Sequence, residues 1–269
     1  MKLSERFRVE PGSKVKLSRL NPRDTPGCKG KGRAADALRK NVERLADLQY
    51  LLYAEGRRAL LVVLQTMDAG GKDGAIRHVM GPINPQGCHV TSFKAPTAEE
   101  LDHDFLWRVH RAVPRRGMIG VFNRSHYEDV LVVRVHGLVP KSVWSKRYRQ
   151  INAFERTLAA ADVHIVKFFL HVSKDEQLER LKARIDDPRK HWKVNPADFD
   201  ERRRWGEYMA AYEDALSRCS TAHAPWFVIP ADRKWYRNVA VSQILVETLE
   251  SLDMEFPAPA CDIAAIRAE

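Results

Sequence analysis

The sequence lacks long apolar runs and clustered cysteines. Its longest uninterrupted apolar run spans residues 59–64 of 269, far short of the roughly 20 residues that a membrane-spanning helix needs. The first ten residues are charged and no apolar segment follows them, so we expect no secretory signal. The four cysteines are scattered, and no two have the close spacing of a zinc or redox site. We therefore expect a soluble, cytoplasmic protein with reduced thiols and no membrane partner.

Acidic residues are the scarcer charged class. Lys and Arg total 45 against 35 Asp and Glu, which gives a net charge of +10 and a pI near 9.5. A positive field concentrates anionic ligands. Charge alone does not separate nucleic acid from nucleotide, polyphosphate or an acidic membrane, so local motifs must decide among these partners.

The chain shows no internal repeat and no low-complexity tract. Residues 1–33 are rich in Lys, Arg, Gly and Pro without helical or alternating periodicity, which predicts a basic N-terminal arm lying over the domain and outside its core. Residues 34–256 are predicted to form a single domain with a lid near residues 180–205, and residues 257–269 a tail.

Short apolar segments alternate with helix-length segments along this domain. Strands are predicted at residues 58–65, 89–93, 117–123, 164–171 and 225–230. Helices are predicted at residues 34–54, 72–80, 98–112, 144–160, 174–185, 201–217 and 239–252. This alternation predicts an α/β fold with a parallel sheet covered by helices on both faces. The charged, proline-broken stretch 186–200 is interpreted as an exposed insertion or lid.

The loop after the first strand is the first candidate site. Its residues are Asp68, Ala69, Gly70, Gly71, Lys72, Asp73 and Gly74. Glycines let backbone N–H groups point at a phosphate, and Lys72 adds a positive charge. A standard P-loop has Gly, four residues, Gly, Lys and then Ser or Thr, whereas Thr66 and Asp73 stand here at the two outer positions. Because Mg²⁺ prefers carboxylate and phosphate oxygens, Asp68 is a candidate metal ligand and Asp73 a second.

A run of polar residues follows the third strand directly. It reads Asn123-Arg124-Ser125-His126-Tyr127-Glu128-Asp129. Ligands of open α/β sheets bind outside the carboxyl ends of the strands, so this run is expected to meet the loop. Asp129 is a candidate to share a metal with Asp68, and Asn123 and Arg124 are candidates to contact phosphate or nucleoside.

Two arginines four residues apart form the third candidate site. Arg180 and Arg184 share one face of a predicted helix. On a mobile lid they would neutralise the charge of a transferring phosphoryl group, as arginine fingers do. A solvated helical face is the alternative interpretation.

These three segments, in this order and at these separations, resemble those of the polyphosphate kinase 2 family. The similarity runs from residue 34 to residue 252, includes Phe93-Lys94-Ala95-Pro96-Thr97, and matches the family lid over residues 187–193. The resemblance implies a P-loop kinase-like fold with a helical lid. It also implies phosphoryl transfer between inorganic polyphosphate and nucleotides with Mg²⁺, or with Mn²⁺ in its place.

The resemblance carries over roles for individual residues. It implies metal binding by Asp68 and Asp129, phosphate binding by residues 69–74 including Lys72, and catalytic roles for Arg180 and Arg184. It places Asn123, Arg124 and Glu128 on the nucleotide side, and Lys190 and Lys193 on the polyphosphate side of the lid. The triplet Glu128-Asp129-Val130 resembles the class III subgroup, which acts on both nucleoside mono- and diphosphates; other subgroups carry a Tyr-Asn-Arg-type sequence there.

Several interpretations stay open at this point. We expect a homo-oligomer, as dimer or tetramer, without nucleic acid, and Lys29, Lys31 and Arg33 of the arm are candidates to extend a polyphosphate channel. An ATP-dependent small-molecule kinase would share the loop and lid. A covalent phosphohistidine would involve His78, His126 or His191, and a nucleic-acid-binding module would use Trp192, Trp205 or Trp235.

Overall fold

The centre of the protein is a five-stranded parallel sheet. The computed structural model describes residues 2–28, 30–263 and 266. Its strands are β1 (Ala59–Gln65), β2 (Cys88–Ser92), β3 (Ile119–Asn123), β4 (Val163–His171) and β5 (Trp226–Pro230). They lie in the spatial order β2-β3-β1-β4-β5, and every neighbouring pair is parallel. The predicted α/β fold with a parallel sheet is confirmed.

Helices cover both faces of this sheet. They are α1 (Leu3–Phe7), α2 (Lys31–Glu55), α3 (Lys72–Val79), α4 (Ala98–Asp102), α5 (Trp107–His110), α6 (Val132–Val135), α7 (Lys141–Ala160), α8 (Lys174–Ile185), α9 (Ala197–Arg203), α10 (Trp205–Cys219) and α11 (Lys234–Glu250). Short 3-10 turns lie at Leu17–Arg19, Pro85–Gly87, His126–Val130 and Pro188–Lys193. Within the described ranges, no helix is long and apolar enough to span a membrane.

The alternation of side chains along β1 explains the two layers. Leu60, Val62 and Leu64 face one side and pack with α2, α3 and α11. Leu61 and Val63 face the other side and pack with α7 and α10. All seven residues of β1 are buried because this central strand is covered on both faces, which is why it is apolar from Ala59 to Leu64.

Two predicted helices are wrong in extent because each is divided in two. Residues 98–112 form α4 and α5, and the Asp104 carboxylate between them accepts a hydrogen bond from the Leu106 N–H at 2.9 Å. An aspartate that captures a backbone N–H in this way favours a turn over a continuous helix. Residues 201–217 are likewise divided near Arg204, where α9 ends and α10 begins. α11 begins at Lys234, five residues before the predicted start at residue 239.

The N-terminal arm differs from its prediction in that it contributes to the core. Arg8 forms an antiparallel bridge with Phe227 of β5, and the Val9 N–H donates to the Trp226 carbonyl at 2.8 Å. Val9 and Leu17 are both buried in the apolar layer that contains Leu61 and Val63. The arm is thus an extra edge element of the domain, held by backbone pairing that leaves no periodic pattern in its sequence.

Candidate active site

The loop from Thr66 to Gly71 joins the end of β1 to the start of α3. Gly71 has a φ of 106°, in the left-handed region that glycine tolerates. A Cβ on Gly70 would overlap the Thr66 side chain, so the chain has no room for a larger residue there. Thr66 is buried, and its hydroxyl donates to the Leu170 carbonyl of β4 at 2.6 Å. The residue that replaces the first glycine of the standard motif therefore fastens the loop to the neighbouring strand.

Lys72 lies at the first position of α3 and points back at the loop. Its Nζ donates to the Thr66 carbonyl at 3.3 Å. Burial lowers the pKa of Lys72, and the nearby Asp68 carboxylate acts in the opposite direction. The side chain is thus held in place beside backbone N–H groups at a helix N-terminus, an arrangement that suits a phosphate.

A cleft of about 980 Å³ opens at the carboxyl ends of the strands. The sequence-predicted residues that line it are Asp68, Ala69, Gly70, Gly71, Lys72, Asp73, Gly74, Asn123, Arg124, Arg180, Arg184, Lys190 and Lys193. Lys31 of the arm also lines it, whereas Lys29 lies outside the described residues. The structure therefore brings the loop, the polar run after β3 and the lid together around one basic cleft.

Direct contacts connect the loop to the other two segments. The Arg124 guanidinium is 2.7 Å from the Asp68 carboxylate. Asp73 accepts a hydrogen bond from the Asn123 amide at 3.0 Å and lies 3.6 Å from Lys193 Nζ. These contacts lower the pKa of Asp73 against the effect of burial, so its carboxylate stays charged.

Glu128 and Asp129 are the two predicted site residues that do not line the main cleft. Glu128 lines an adjoining pocket of about 210 Å³ together with Asp68 and Arg124. Burial raises the pKa of Glu128. Asp129 is paired with Arg147 at 2.7 Å, and burial raises the pKa of Asp129 to about 6. Asp68 and Asp129 thus have different arginine partners, and Asp68 lines both of these pockets whereas Asp129 lines neither.

No cluster of three or more His, Cys, Asp or Glu side chains in the described ranges is arranged to hold a metal ion. Asp68 and Asp73 both line the main cleft at the loop, and Asp73 is held by Asn123 and Lys193. Mg²⁺ in phosphotransferases takes most of its other ligands from substrate phosphates and water. A single protein carboxylate at this position therefore fits such a metal, without a cluster formed by the protein alone.

Arg180 is buried, and its contacts are those of a structural clamp. Its Nη1 donates to the Gly70 carbonyl at 2.8 Å and its Nη2 to the Asp232 carbonyl at 3.0 Å, while its Nε contacts Glu176 at 2.8 Å. This side chain joins the loop to the segment after β5. It is fixed within the domain and differs in this respect from the mobile finger interpreted from the sequence.

The lid is held by ion pairs of its own. Arg184 donates to Asp198 at 2.8 Å, and Lys190 pairs with Asp187 at 2.8 Å. Trp192 is 79% exposed, with its indole N–H donating to the Arg189 carbonyl at 3.1 Å. The lid therefore presents its lysines to the cleft from a short turn with little apolar packing.

Two residues of the polar run after β3 anchor it in the core. Lys167 and Glu155 are fully buried and paired at 2.5 Å, and the Tyr127 hydroxyl donates to Glu155 at 2.9 Å. His126 lies 3.2 Å from the same carboxylate, and burial lowers the pKa of His126. His126 is thus a structural residue, enclosed away from the cleft.

Sequence reasoning missed three polar residues at the start of α11. Lys234, Arg237 and Asn238 all line the cleft. The predicted helix began at residue 239, after these three positions. The signal available was the polar segment that follows β5, since the same strand-end rule that identified Asn123 applies to it.

Comparison with known proteins places this geometry in a family. The sequence model of the polyphosphate kinase 2 family matches residues 29–257 of this chain. The chain is 56% identical over 256 residues to the AMP/ADP-polyphosphate phosphotransferase of Meiothermus ruber, covering 95% of this chain and 96% of that protein. It is 52% identical over 266 residues to the ADP-polyphosphate phosphotransferase of Rhodopseudomonas palustris, covering 94% and 92%.

A solved structure shares the fold over nearly the whole chain. The crystal structure of polyphosphate kinase 2 from Arthrobacter aurescens superposes with a TM-score of 0.95 at 46% identity, covering 98% of this chain and 95% of that one. The resemblance inferred from the three sequence segments is confirmed. The chain belongs to the polyphosphate kinase 2 family.

Proposed function

We propose that this chain transfers phosphoryl groups between inorganic polyphosphate and nucleoside mono- and diphosphates, converting AMP to ADP and ADP to ATP, and the reverse. The observation that carries the proposal is the basic cleft on which the loop, Asn123 and Arg124, and the lid converge. The names of the relatives from Meiothermus ruber and Rhodopseudomonas palustris support the same substrates. A cytoplasmic location and assembly as a homo-oligomer, dimer or tetramer, are part of the proposal.

The loop residues and Lys72 bind the phosphate that moves. Backbone N–H groups of residues 69–74 and the Lys72 ammonium hold its oxygens, and Arg180 keeps the loop in shape through the Gly70 carbonyl. Lys190 and Lys193 of the lid lie on the polyphosphate side of the cleft. Arg184 reaches the same cleft while it is tied to Asp198.

The nucleotide occupies the side of the cleft formed by the polar run after β3. Asn123 and Arg124 line the main cleft, and Glu128 lines the smaller pocket that continues from it past Arg124. Glu128 offers carboxylate oxygens that accept hydrogen bonds. Such a group suits recognition of a nucleoside.

Mg²⁺, or Mn²⁺ in its place, fits beside Asp68. That carboxylate, together with the phosphates of both substrates, provides the oxygen ligands that these metals prefer. The metal would supply charge neutralisation on the reacting phosphates. A role for Asp129 as a second ligand stays a prediction, because Asp129 does not line the main cleft that Asp68 lines.

The reaction needs positioning and charge neutralisation rather than a strong general base. A terminal phosphate oxygen of the acceptor attacks the terminal phosphorus of polyphosphate, so that one P–O bond forms as the bridging P–O bond breaks. The shortened polyphosphate leaves with the bonding electron pair on its new terminal oxygen. In-line transfer of this kind is accelerated mainly by cations around the transferring group, here Lys72 and the arginines of the cleft.

The test is a substrate matrix of AMP, ADP, GMP and GDP against polyphosphate with Mg²⁺, with nucleotide products separated by chromatography. Lys72→Ala is expected to lower kcat about a hundredfold or more, since one preorganised charge at the reacting group is lost. Lys146→Ala on the exposed face of α7 is the matched control and should keep wild-type turnover. Turnover of a metabolite hydroxyl with ATP, and none with polyphosphate, would contradict the proposal.

A further inference from the structure

Arg237 of α11 carries a positive charge that no carboxylate neutralises within the described part of the chain. Its side chain is 2% exposed, and its Nε and Nη2 atoms contact only the neutral Asn238 amide oxygen, at 3.1 and 2.7 Å. The charged group that shifts the pKa of Arg237 is Arg180, which has the same sign. A buried charge without a counter-charge is costly, so a protein that retains one generally uses it for a ligand.

The Arg237 guanidinium lies directly against the loop that joins β1 to α3. A Cβ on Gly71 would overlap Arg237 Nη1, and a Cβ on Gly74 would come within 3.1 Å of Nη2. Arg180 Nη1 lies 3.5 Å from the same point beside Gly71. The absence of side chains at both glycines is thus what lets two guanidiniums converge on the loop. Burial and the Arg180 charge together lower the pKa of Arg237 to about 10, so it remains protonated at neutral pH.

The charges around Arg237 distinguish the donor from the acceptor side of the cleft. Lys234 lies one turn before Arg237, and Arg180 contributes to the lowered pKa of Lys234. On the opposite side, Arg124 is already paired with Asp68, and Glu128 and Asp198 add negative charge in the adjoining pocket. Among the described residues, Lys234 and Arg237 have no ion-pair partner, whereas Arg180 is paired with Glu176. The side with Lys234 and Arg237 suits the substrate with the higher charge density, which is polyphosphate.

We propose that Arg237 binds terminal phosphate oxygens of the donor polyphosphate beside Gly71, as a binding residue of the donor subsite. The assignment of the ligand rests on the proposed function, because it takes polyphosphate as the donor. The forked guanidinium matches the geometry of a phosphate group. In the absence of the donor, Arg237 is a source of instability that the donor relieves.

The test is thermal unfolding of the full chain with and without sodium tripolyphosphate, at ionic strength matched with NaCl. The wild-type Tm should rise with tripolyphosphate, since a ligand that binds only the folded state stabilises it. Arg237→Gln retains a partner for Asn238 and removes the buried charge. Its Tm without tripolyphosphate should equal or exceed that of the wild type, and most of the rise should be lost.

Two further variants make the outcome decisive. Arg233→Gln removes an exposed cation one turn earlier on the same chain segment and should keep the full rise. Arg237→Lys retains the charge without the fork and should recover part of the rise, which preserves the test if Arg237→Gln does not fold. In turnover, Arg237→Gln should raise the KM for polyphosphate about tenfold or more and leave the KM for ADP within about twofold.

Four results would overturn the inference. The same tripolyphosphate-induced rise in Arg237→Gln as in the wild type would show that the arginine does not contact the donor. A lower Tm without tripolyphosphate together with an intact rise would make Arg237 a structural residue. A loss of stabilisation by AMP rather than by tripolyphosphate would assign it to the acceptor. Equal tripolyphosphate-induced rises in Tm in Arg237→Lys and Arg237→Gln would show that the positive charge at this position does not bind the donor.

If the wild type itself shows neither turnover nor a rise with polyphosphate, the proposed function fails rather than this assignment alone.

Discussion

Single residues explain why the loop departs from the standard P-loop pattern. From the sequence, the loop and Lys72 were identifiable because glycine and lysine at this spacing have a direct use in phosphate binding. The role of Thr66 was not, since its partner is a backbone carbonyl 104 residues away. Arg237 follows the end of β5, which was the available signal, but its contact with Gly71 is tertiary and is visible only in the structure.

Thr66→Val tests the anchoring of the loop at the residue scale. The substitution keeps the shape of the side chain and removes the hydrogen bond to the Leu170 carbonyl. We expect the free energy of unfolding to fall by about 1 to 2 kcal/mol, because a buried acceptor loses its partner. Urea denaturation measures this, and Thr66→Ser, which keeps the hydroxyl, should stay close to the wild type. Equal losses in both variants would contradict the account.

At the scale of elements, the polar run after β3 is positioned by the core beneath it. Lys167 comes from β4 and Glu155 from α7, and together they hold Tyr127 and His126 in the turn that also carries Glu128. The sequence placed this run at the end of a strand and so next to the loop. It gave no indication that three of the seven residues of the run, Ser125, His126 and Tyr127, are buried, because all three are polar.

Lys167→Met tests this support. Removing one partner leaves the Glu155 charge buried, so we expect the free energy of unfolding to fall by about 3 to 5 kcal/mol. The double variant Lys167→Met/Glu155→Gln leaves no unpaired charge and should lose less. Chemical denaturation of the two variants and the wild type gives the comparison. A double variant that is less stable than the single one would show that the ion pair is not the source of the effect.

Element boundaries followed the sequence where apolar residues set the period and failed where polar contacts did. α2 and α8 lie close to their predicted ranges because their apolar residues recur at helical spacing. The start of α11 contains Arg237 and Asn238, which are buried although they are polar. Hydrophobic periodicity cannot detect the burial of these residues, because it registers only apolar side chains.

At the scale of the whole molecule, the positive charge is concentrated where the strands end. The net charge of +10 indicated an anionic partner, and the cleft places arginines and lysines from the loop, lid and α11 around one opening. The alternation of strands and helices was sufficient to predict the parallel sheet. The contribution of the N-terminal arm to the core was not predictable, because Val9 is held by pairing with β5, more than 200 residues away.

Salt dependence tests whether this charge distribution serves polyphosphate. Raising NaCl from about 50 to about 200 mM should increase the KM for polyphosphate steeply. Binding a polyanion releases its counterions, and this release is less favourable when the salt concentration in solution is higher. The KM for ADP should rise less, since the nucleotide carries fewer charges. Steady-state kinetics at several salt concentrations measure both. Equal slopes for the two substrates would contradict a dedicated polyanion subsite.

The central claim is that a phosphoryl group moves from polyphosphate to a nucleotide in the cleft that Lys72 lines. The most direct measurement follows radiolabelled polyphosphate incubated with the protein, unlabelled AMP and Mg²⁺. We predict that label appears first in ADP and then in ATP, and that Lys72→Ala suppresses both. Nucleotides that stay unlabelled while the wild-type protein is folded and binds AMP would contradict the claim.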